Sequence, residues 1–144
     1  MGITYEVSGD GSLVHTRVTG DLTEEDVLRH ETALASDARI RPGFGQLAEV
    51  TGEGRWTMGG VEPGATKALA ARLAEIAKAH PDRFQGARYA IVIQGARAFE
   101  SAKLFETIYD GPANVIVFYN LDIAKTWLGC KTETGTGGPT LGRP

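Results

Sequence analysis

The sequence predicts an α/β fold, a small mixed β-sheet in which an N-terminal antiparallel hairpin is followed by right-handed β-α units. Two continuous apolar runs support this prediction: residues 90–93 (AIVI) and 115–118 (VIVF). Both have the pattern of strands buried on both faces, which favours adjacent, parallel positions in the interior of a sheet. The third observation is the order of strand and helix patterns along the chain, β-β-α-β-α-β-α-β-α.

The hairpin is predicted from two runs in which apolar and polar residues alternate. They occupy residues 3–7 and 13–19, and the Gly-Asp-Gly sequence between them is typical of a tight turn. The polar side of the two runs carries Glu6, His15 and Arg17. One face of the sheet is therefore expected to meet water at this edge. A short third strand is expected at residues 45–50.

Four helices are predicted, at about residues 23–37, 62–80, 95–109 and 122–128. Thr23 is expected to cap the first helix, and the acidic residues that follow it favour the positive end of the helix dipole. Pro63 fits the first turn of the second helix, which we expect to end at Pro81. Residues 1–129 are expected to form one domain, and residues 130–144, rich in Gly, Thr and Pro, a flexible tail.

Composition and charge exclude several classes of protein. The net charge is −3, so the chain has no electrostatic footprint for nucleic acid. The lone Cys130 excludes an intramolecular disulfide. The first residues lack the features of a signal peptide, and the apolar runs are too short to span a membrane. We therefore expect a cytoplasmic protein.

Five short sequence words carry a resemblance to a known family. They are GDLTEED (20–26), QLAEV (46–50), RYAIV (88–92), AKLFE (102–106) and VFYNLDIAKTWL (117–128). Together with the element order, they resemble the SpoIIAA-like group of the STAS superfamily (sulfate transporter and anti-sigma-factor antagonist domains). Such proteins are often described as STAS/SEC14 domain proteins. The resemblance extends over about residues 3–129, and the last word is the most specific.

The resemblance implies a small α/β fold whose function is mostly uncharacterised. Together with the lack of a catalytic constellation and the long Gly-rich loop at residues 51–60, it favours a non-enzymatic binding or regulatory module. Relatives in the wider superfamily bind anti-sigma factors or nucleotides, and some carry a phosphorylatable serine in an Asp-Ser-Ser-Gly-Leu motif. The corresponding residues 59–66 (GGVEPGAT) contain no serine, so we do not expect that phosphorylation switch here. The SEC14 part of the family description implies an alternative, a carrier of a small apolar or lipid-like ligand.

The carboxyl ends of the strands are the expected ligand site, since ligands of open α/β sheets bind in the crevice there. The residues that reach this edge are Glu49, Thr51, Arg55, Trp56, Gln94, Arg97, Tyr119 and Asn120. Arg55 and Arg97 would clamp a small anionic ligand or an acidic segment of a protein partner. The alternative is that all of these are ordinary loop residues, because no motif fixes any of them.

Glu31 conflicts with the pattern of the first helix, because it falls in the middle of the apolar face. One interpretation is a buried acid with a raised pKa, since desolvation disfavours the charged form. The other is a side chain that reaches the edge of the domain or pairs with a basic neighbour.

No nucleophile–base pair, metal-ligand spacing or cofactor motif is visible in the sequence. We therefore expect no catalytic residue, no metal and no cofactor, and an enzyme is the least favoured of the three functions. The expected partners are a protein or a small anionic or apolar ligand. The unpaired edge of the hairpin also offers a surface for a homodimer, since an exposed strand edge invites pairing.

Overall fold

The computed structural model describes residues 2–19, 23–51, 63–93 and 96–129; at residues 2, 51, 63–66, 96–98 and 101 the description is of the backbone alone. Its strands are β1 (Gly2–Val7), β2 (Leu13–Thr19), β3 (Gly45–Thr51), β4 (Arg88–Ile93) and β5 (Asn114–Phe118). They form one sheet in the order β1-β2-β3-β4-β5. β1 is antiparallel to β2, and every other neighbouring pair is parallel. The predicted mixed sheet with its N-terminal hairpin is confirmed.

The helices are α1 (Glu24–Ser36), α2 (Pro63–Lys78), α3 (Pro81–Phe84), α4 (Ala96–Ile108) and α5 (Leu121–Leu128). α3 was not predicted. α2 ends before Pro81, as expected, and a further short helix begins there. Pro81 begins α3, with His80 as its N-cap, because proline is well suited to the first turn of a helix. Among the described helices, none has the length and apolar character that crossing a bilayer requires.

β5 lies at the margin of the sheet, so the expectation that residues 115–118 form an interior strand is wrong. β5 is adjacent and parallel to β4, as predicted, but it has no second strand neighbour in the described chain. Its apolar run has a different cause: α4 contacts one face of β5 and α5 the other. Val115 and Val117 are buried on the α4 side, although they belong to an edge strand.

The two faces of the sheet are covered unequally. α1, α2 and α4 pack on one face, which we call the three-helix face, and α5 packs alone on the other, the single-helix face. The largest enclosed side chains of the three-helix face include Phe44, Phe84, Leu34 and Leu69. The smaller cluster of the single-helix face is formed by Leu47, Ala90, Val92, Ala124 and Leu128.

α1 is held at its N-terminus by the predicted cap. The Thr23 hydroxyl accepts a hydrogen bond from the backbone N–H of Asp26 at 3.1 Å, and the Asp26 carboxylate accepts one from the backbone N–H of Thr23 at 3.3 Å. This reciprocal pair is a capping box, which satisfies two backbone donors that the helix itself leaves free. The helix then buries Glu31, Leu34 and Ala35 against the rest of the domain.

Candidate functional site

The predicted site residues at the carboxyl ends of the strands are only partly described. Thr51 ends β3, and Tyr119 and Asn120 follow β5 at the same edge of the sheet, because the two strands run in the same direction. Arg55, Trp56 and Gln94 lie outside the described residues. Arg97 belongs to α4, but its side chain is not described either. The predicted charge clamp therefore stays a prediction.

The described side chains at this edge make contacts within the fold. Glu49 Oε2 lies 2.7 Å from His15 Nε2 on the single-helix face. The Asn120 side chain accepts a hydrogen bond from the backbone N–H of Ile123 at 2.9 Å and so caps α5. The Tyr119 ring stacks on that of Phe99, with ring centroids 4.0 Å apart. Asn120 in particular serves the fold, as an N-cap.

A second candidate site lies inside the domain, between the sheet and the helices of the three-helix face. This central cavity has a volume of about 90 Å³ and is lined mainly by apolar side chains from β1–β4, α1, α2 and α4. Its lining also contains six polar residues: Thr16, His30, Glu31, Gln46, Tyr89 and Tyr109. So many polar groups around an apolar cavity distinguish it from ordinary core packing.

His30, Gln46 and Thr16 form one polar group on the wall of the cavity. His30 Nε2 lies 2.7 Å from Gln46 Oε1, and the Thr16 hydroxyl donates to the same oxygen at 2.8 Å. An amide oxygen can only accept, so His30 Nε2 carries the proton and donates. Burial lowers the pKa of His30, which the hydrogen bond to Gln46 partly offsets. The imidazole is therefore neutral near pH 7.

Glu31 and Tyr89 form the second polar group. Glu31 is 4% exposed, and the Tyr89 hydroxyl donates a hydrogen bond to Glu31 Oε2 at 3.0 Å. Burial raises the pKa of Glu31 to about 7, although the Tyr89 hydrogen bond acts in the opposite direction. Burial and the nearby Glu31 carboxylate likewise raise the pKa of the Tyr89 hydroxyl. Glu31 therefore changes charge near neutral pH inside the domain.

Three polar atoms of the cavity lining have no hydrogen-bond partner within the described chain: Glu31 Oε1, Gln46 Nε2 and Tyr109 Oη. The backbone N–H of Ala113 lies near the Tyr109 hydroxyl, without the geometry of a hydrogen bond. Leaving a buried polar group unpaired costs about 1–3 kcal/mol, so such groups are usually satisfied by water or by a bound molecule. Glu31 and Gln46 are each at least nine-tenths buried.

Of these residues, only Glu31 was singled out from the sequence as a candidate. The other polar residues of the lining were less conspicuous in the sequence. Thr16, for example, is marked only by its position on the apolar side of β2, between Val14 and Val18. The described residues contain no group of three or more His, Cys, Asp or Glu side chains that could hold a metal ion. The donors and acceptors of the cavity lining can form hydrogen bonds with a polar guest or with water.

Comparison with models of protein families finds no match, and neither does comparison with curated proteins. Among solved structures, the chain is similar to an uncharacterised protein of the DUF3478 family with a SpoIIAA-like fold, from Shewanella loihica PV-4. The TM-score is 0.47 and the sequence identity 22%, over 88% of this chain and 94% of that chain. The fold described for that protein is the one that the sequence words resemble. A similarity at this level carries no statement about function.

Proposed function

We propose that this chain is a non-enzymatic binding module that takes a small molecule into the central cavity. One observation carries the proposal: the cavity is apolar over most of its lining, yet the buried side chains of Glu31 and Gln46 in that lining each keep one polar atom without a hydrogen bond in the described chain. Ligand sites typically combine an apolar lining with a few polar groups that orient the guest. The alternative function of a small-ligand carrier, drawn from the sequence, is supported by the same arrangement.

The chemistry of the cavity favours binding over catalysis. The proton of the Thr16 hydroxyl and the Nε2 proton of His30 are both donated to Gln46 Oε1. Neither group is therefore arranged as a nucleophile with an adjacent base, which covalent catalysis requires. Among the described lining residues, the only other hydroxyls are those of Tyr89 and Tyr109, and burial raises the pKa of both.

The volume of the cavity limits the size of its guest. An engineered cavity of about 150 Å³ binds benzene, and a water molecule occupies about 30 Å³ in the liquid. The 90 Å³ of the central cavity therefore match a guest smaller than benzene or about three water molecules. A small guest and water can each form hydrogen bonds with the polar atoms of the lining, so an experiment must distinguish between these two occupants.

Titration of the uniformly ¹⁵N-labelled protein with small organic fragments tests the proposal. We expect at least one fragment to shift the amide signals of the lining residues with a saturable curve. Ala48→Ile should abolish these shifts, because Ala48 lines the cavity and the larger side chain would fill it. Ala71→Ile, the same change on the exposed face of α2, is the matched control and should bind as the wild type does.

A folded wild-type protein that shows no saturable shift at millimolar fragment concentrations would leave water as the occupant and refute the binding function. Equal binding by the Ala48→Ile variant would place the guest elsewhere. A thermal melt of each variant shows that it is folded, which matters because additional methylene groups in a packed core can be destabilising.

We also propose a protein partner at the carboxyl edge of the sheet, on a different observation. Tyr119 and Ile123, which lie beside this edge, are 49% and 59% exposed and are the large hydrophobic side chains that the described surface leaves most open. Immobilised wild-type protein should retain a partner from native lysate that the double variant Tyr119→Ser, Ile123→Ser does not retain. Identical retention by both proteins would contradict this second proposal.

A further inference from the structure

We infer that the guest of the central cavity carries an uncharged amide-type head group, with an N–H donor and a C=O acceptor side by side. The inference rests on the binding function proposed above and adds the chemical class of the ligand. It depends on which polar atoms of the lining are already engaged and which are left for a guest.

The acceptor for the guest is Glu31 Oε1. The other carboxylate oxygen, Oε2, already accepts the hydroxyl of Tyr89 at 3.0 Å. An ionised carboxylate only accepts hydrogen bonds, so Oε1 requires a donor such as an N–H. Hydrogen bonds to charged acceptors are the stronger class, which makes this contact the most selective one in the cavity.

The donor for the guest is Gln46 Nε2. Gln46 Oε1 accepts from both His30 and Thr16, and these two bonds fix the orientation of the amide. The –NH₂ group is thereby left for an acceptor such as a carbonyl oxygen. Gln46 is the register partner of Tyr89 across β3 and β4, and Tyr89 in turn contacts Glu31. All three side chains line the same cavity.

The charges around the cavity disfavour an anionic head group. Neither lysine nor arginine is among the described lining residues, and the lowered pKa of His30 keeps that ring neutral. An anionic guest would thus lie near the Glu31 carboxylate with no described cation to offset the repulsion. A cationic guest would be attracted by that carboxylate but would leave the Gln46 –NH₂ group without an acceptor. An amide supplies both a donor and an acceptor.

The inference is tested with propionamide, butanone and propionate, which share a skeleton and differ at one position: an –NH₂, a –CH₃ or an oxygen anion. Each is titrated into the ¹⁵N-labelled wild-type protein at about pH 8, where a carboxyl group with a pKa of about 7 is mostly ionised. We expect propionamide to bind at least about tenfold more tightly than either of the others, since only propionamide can donate to Glu31 Oε1.

The outcomes separate the two proposals. Butanone or propionate binding as tightly as propionamide would overturn the amide class and leave the binding function intact. Absence of saturable binding by all three and by the wider fragment set would overturn the binding function itself.

Glu31→Gln is the matching variant, because an amide side chain keeps the shape and can still accept from Tyr89 while presenting an N–H in place of Oε1. We expect this variant to bind butanone more tightly than propionamide, the reverse of the wild-type order. Ala71→Ile, on the exposed face of α2, is the control and should keep the wild-type order. A Glu31→Gln variant that also keeps the wild-type order would contradict the inference.

Discussion

The two faces of the sheet treat polar side chains in opposite ways. On the three-helix face, Thr16 and Gln46 are buried and surround a cavity together with the polar residues of the helices. On the single-helix face, none of the described polar side chains is buried, and Glu6 and Arg17 lie exposed. Neighbouring residues of one strand supply both faces: β2 directs Thr16 to the helices and His15 to the opposite side.

This difference indicates where polar residues have a role beyond solubility. A charged side chain at the open part of the single-helix face keeps its hydration and changes stability little. A carboxyl group buried on the three-helix face, such as that of Glu31, loses that hydration at a cost in free energy. A buried carboxyl group is therefore expected where another role compensates for this cost. This cost is the physical reason for proposing a ligand site on the three-helix face.

The largest effect expected from this comparison is a difference between two leucine truncations. Leu34 is fully enclosed on the three-helix face, whereas Leu128 is 9% exposed at the end of α5. Leu34→Ala should lower the free energy of unfolding by about 4 kcal/mol and Leu128→Ala by about 2 kcal/mol, because a more enclosed site collapses less around the deleted atoms. Urea denaturation measures both values, provided that the m-value is unchanged. Equal losses would show that the two cores are packed equally tightly.

The next effect is a pH dependence that belongs to the three-helix face. The pKa of Glu31 is raised from 4.5 in the unfolded chain to about 7 in the fold. The folded state therefore binds this proton more tightly, so the contribution to stability is complete below about pH 4.5 and is lost as the pH rises through 7. A shift of this size corresponds to about 3 kcal/mol. Glu31→Gln removes the dependence.

His30 changes stability in the opposite direction and must be separated from Glu31. Its pKa is lowered by burial, so its contribution is present above its unfolded pKa and is lost as the pH falls. This contribution cancels when the wild type is compared with Glu31→Gln at each pH. The difference in free energy of unfolding should then decrease by about 3 kcal/mol from pH 4.5 to above pH 7. A constant difference would mean that Glu31 is hydrated in the folded protein.

Most of the fold followed from local patterns, and the failures have physical causes. Alternation predicted β1 and β2, and the polar residues at 23–26 predicted the start of α1. The margin position of β5 was not predictable, because helices on both faces produce the same continuous apolar run as an interior position does. α3 was missed because a helix of four residues is too short to show a helical period.

The central cavity was much less accessible to prediction than the fold. Glu31 and Tyr89 are 58 residues apart in sequence, and their hydrogen bond depends on how α1 packs over β4. No local pattern encodes that distance. The conflict of Glu31 with its helix face was nevertheless visible, and so was a threonine among the valines of β2. Polar residues in apolar positions were therefore the sequence signal for the proposed cavity site.

A smaller effect is expected from Asn120 at the carboxyl edge. Asn120→Ala should lower the free energy of unfolding by about 1 kcal/mol, because the change removes the side-chain acceptor of the Ile123 N–H at the start of α5. Asn120→Asp is the matched control and should retain most of the stability, since a carboxylate oxygen caps the same position. If alanine and aspartate have the same effect, the cap contributes nothing, and Asn120 becomes free for the ligand role predicted from the sequence.

The smallest effect is expected on the open part of the single-helix face, where Glu49 contacts His15 at 2.7 Å. Both side chains are about a quarter exposed or slightly less, so water screens the pair, and Glu49→Gln should change the free energy of unfolding by less than about 1 kcal/mol. Denaturant unfolding at low and at high salt measures this contribution, which should shrink as salt is added. A loss as large as that from Leu128→Ala would break the contrast between the faces, since an accessible carboxylate would then matter as much as an enclosed apolar side chain. In that case, the ligand role predicted for Glu49 from the sequence would gain support.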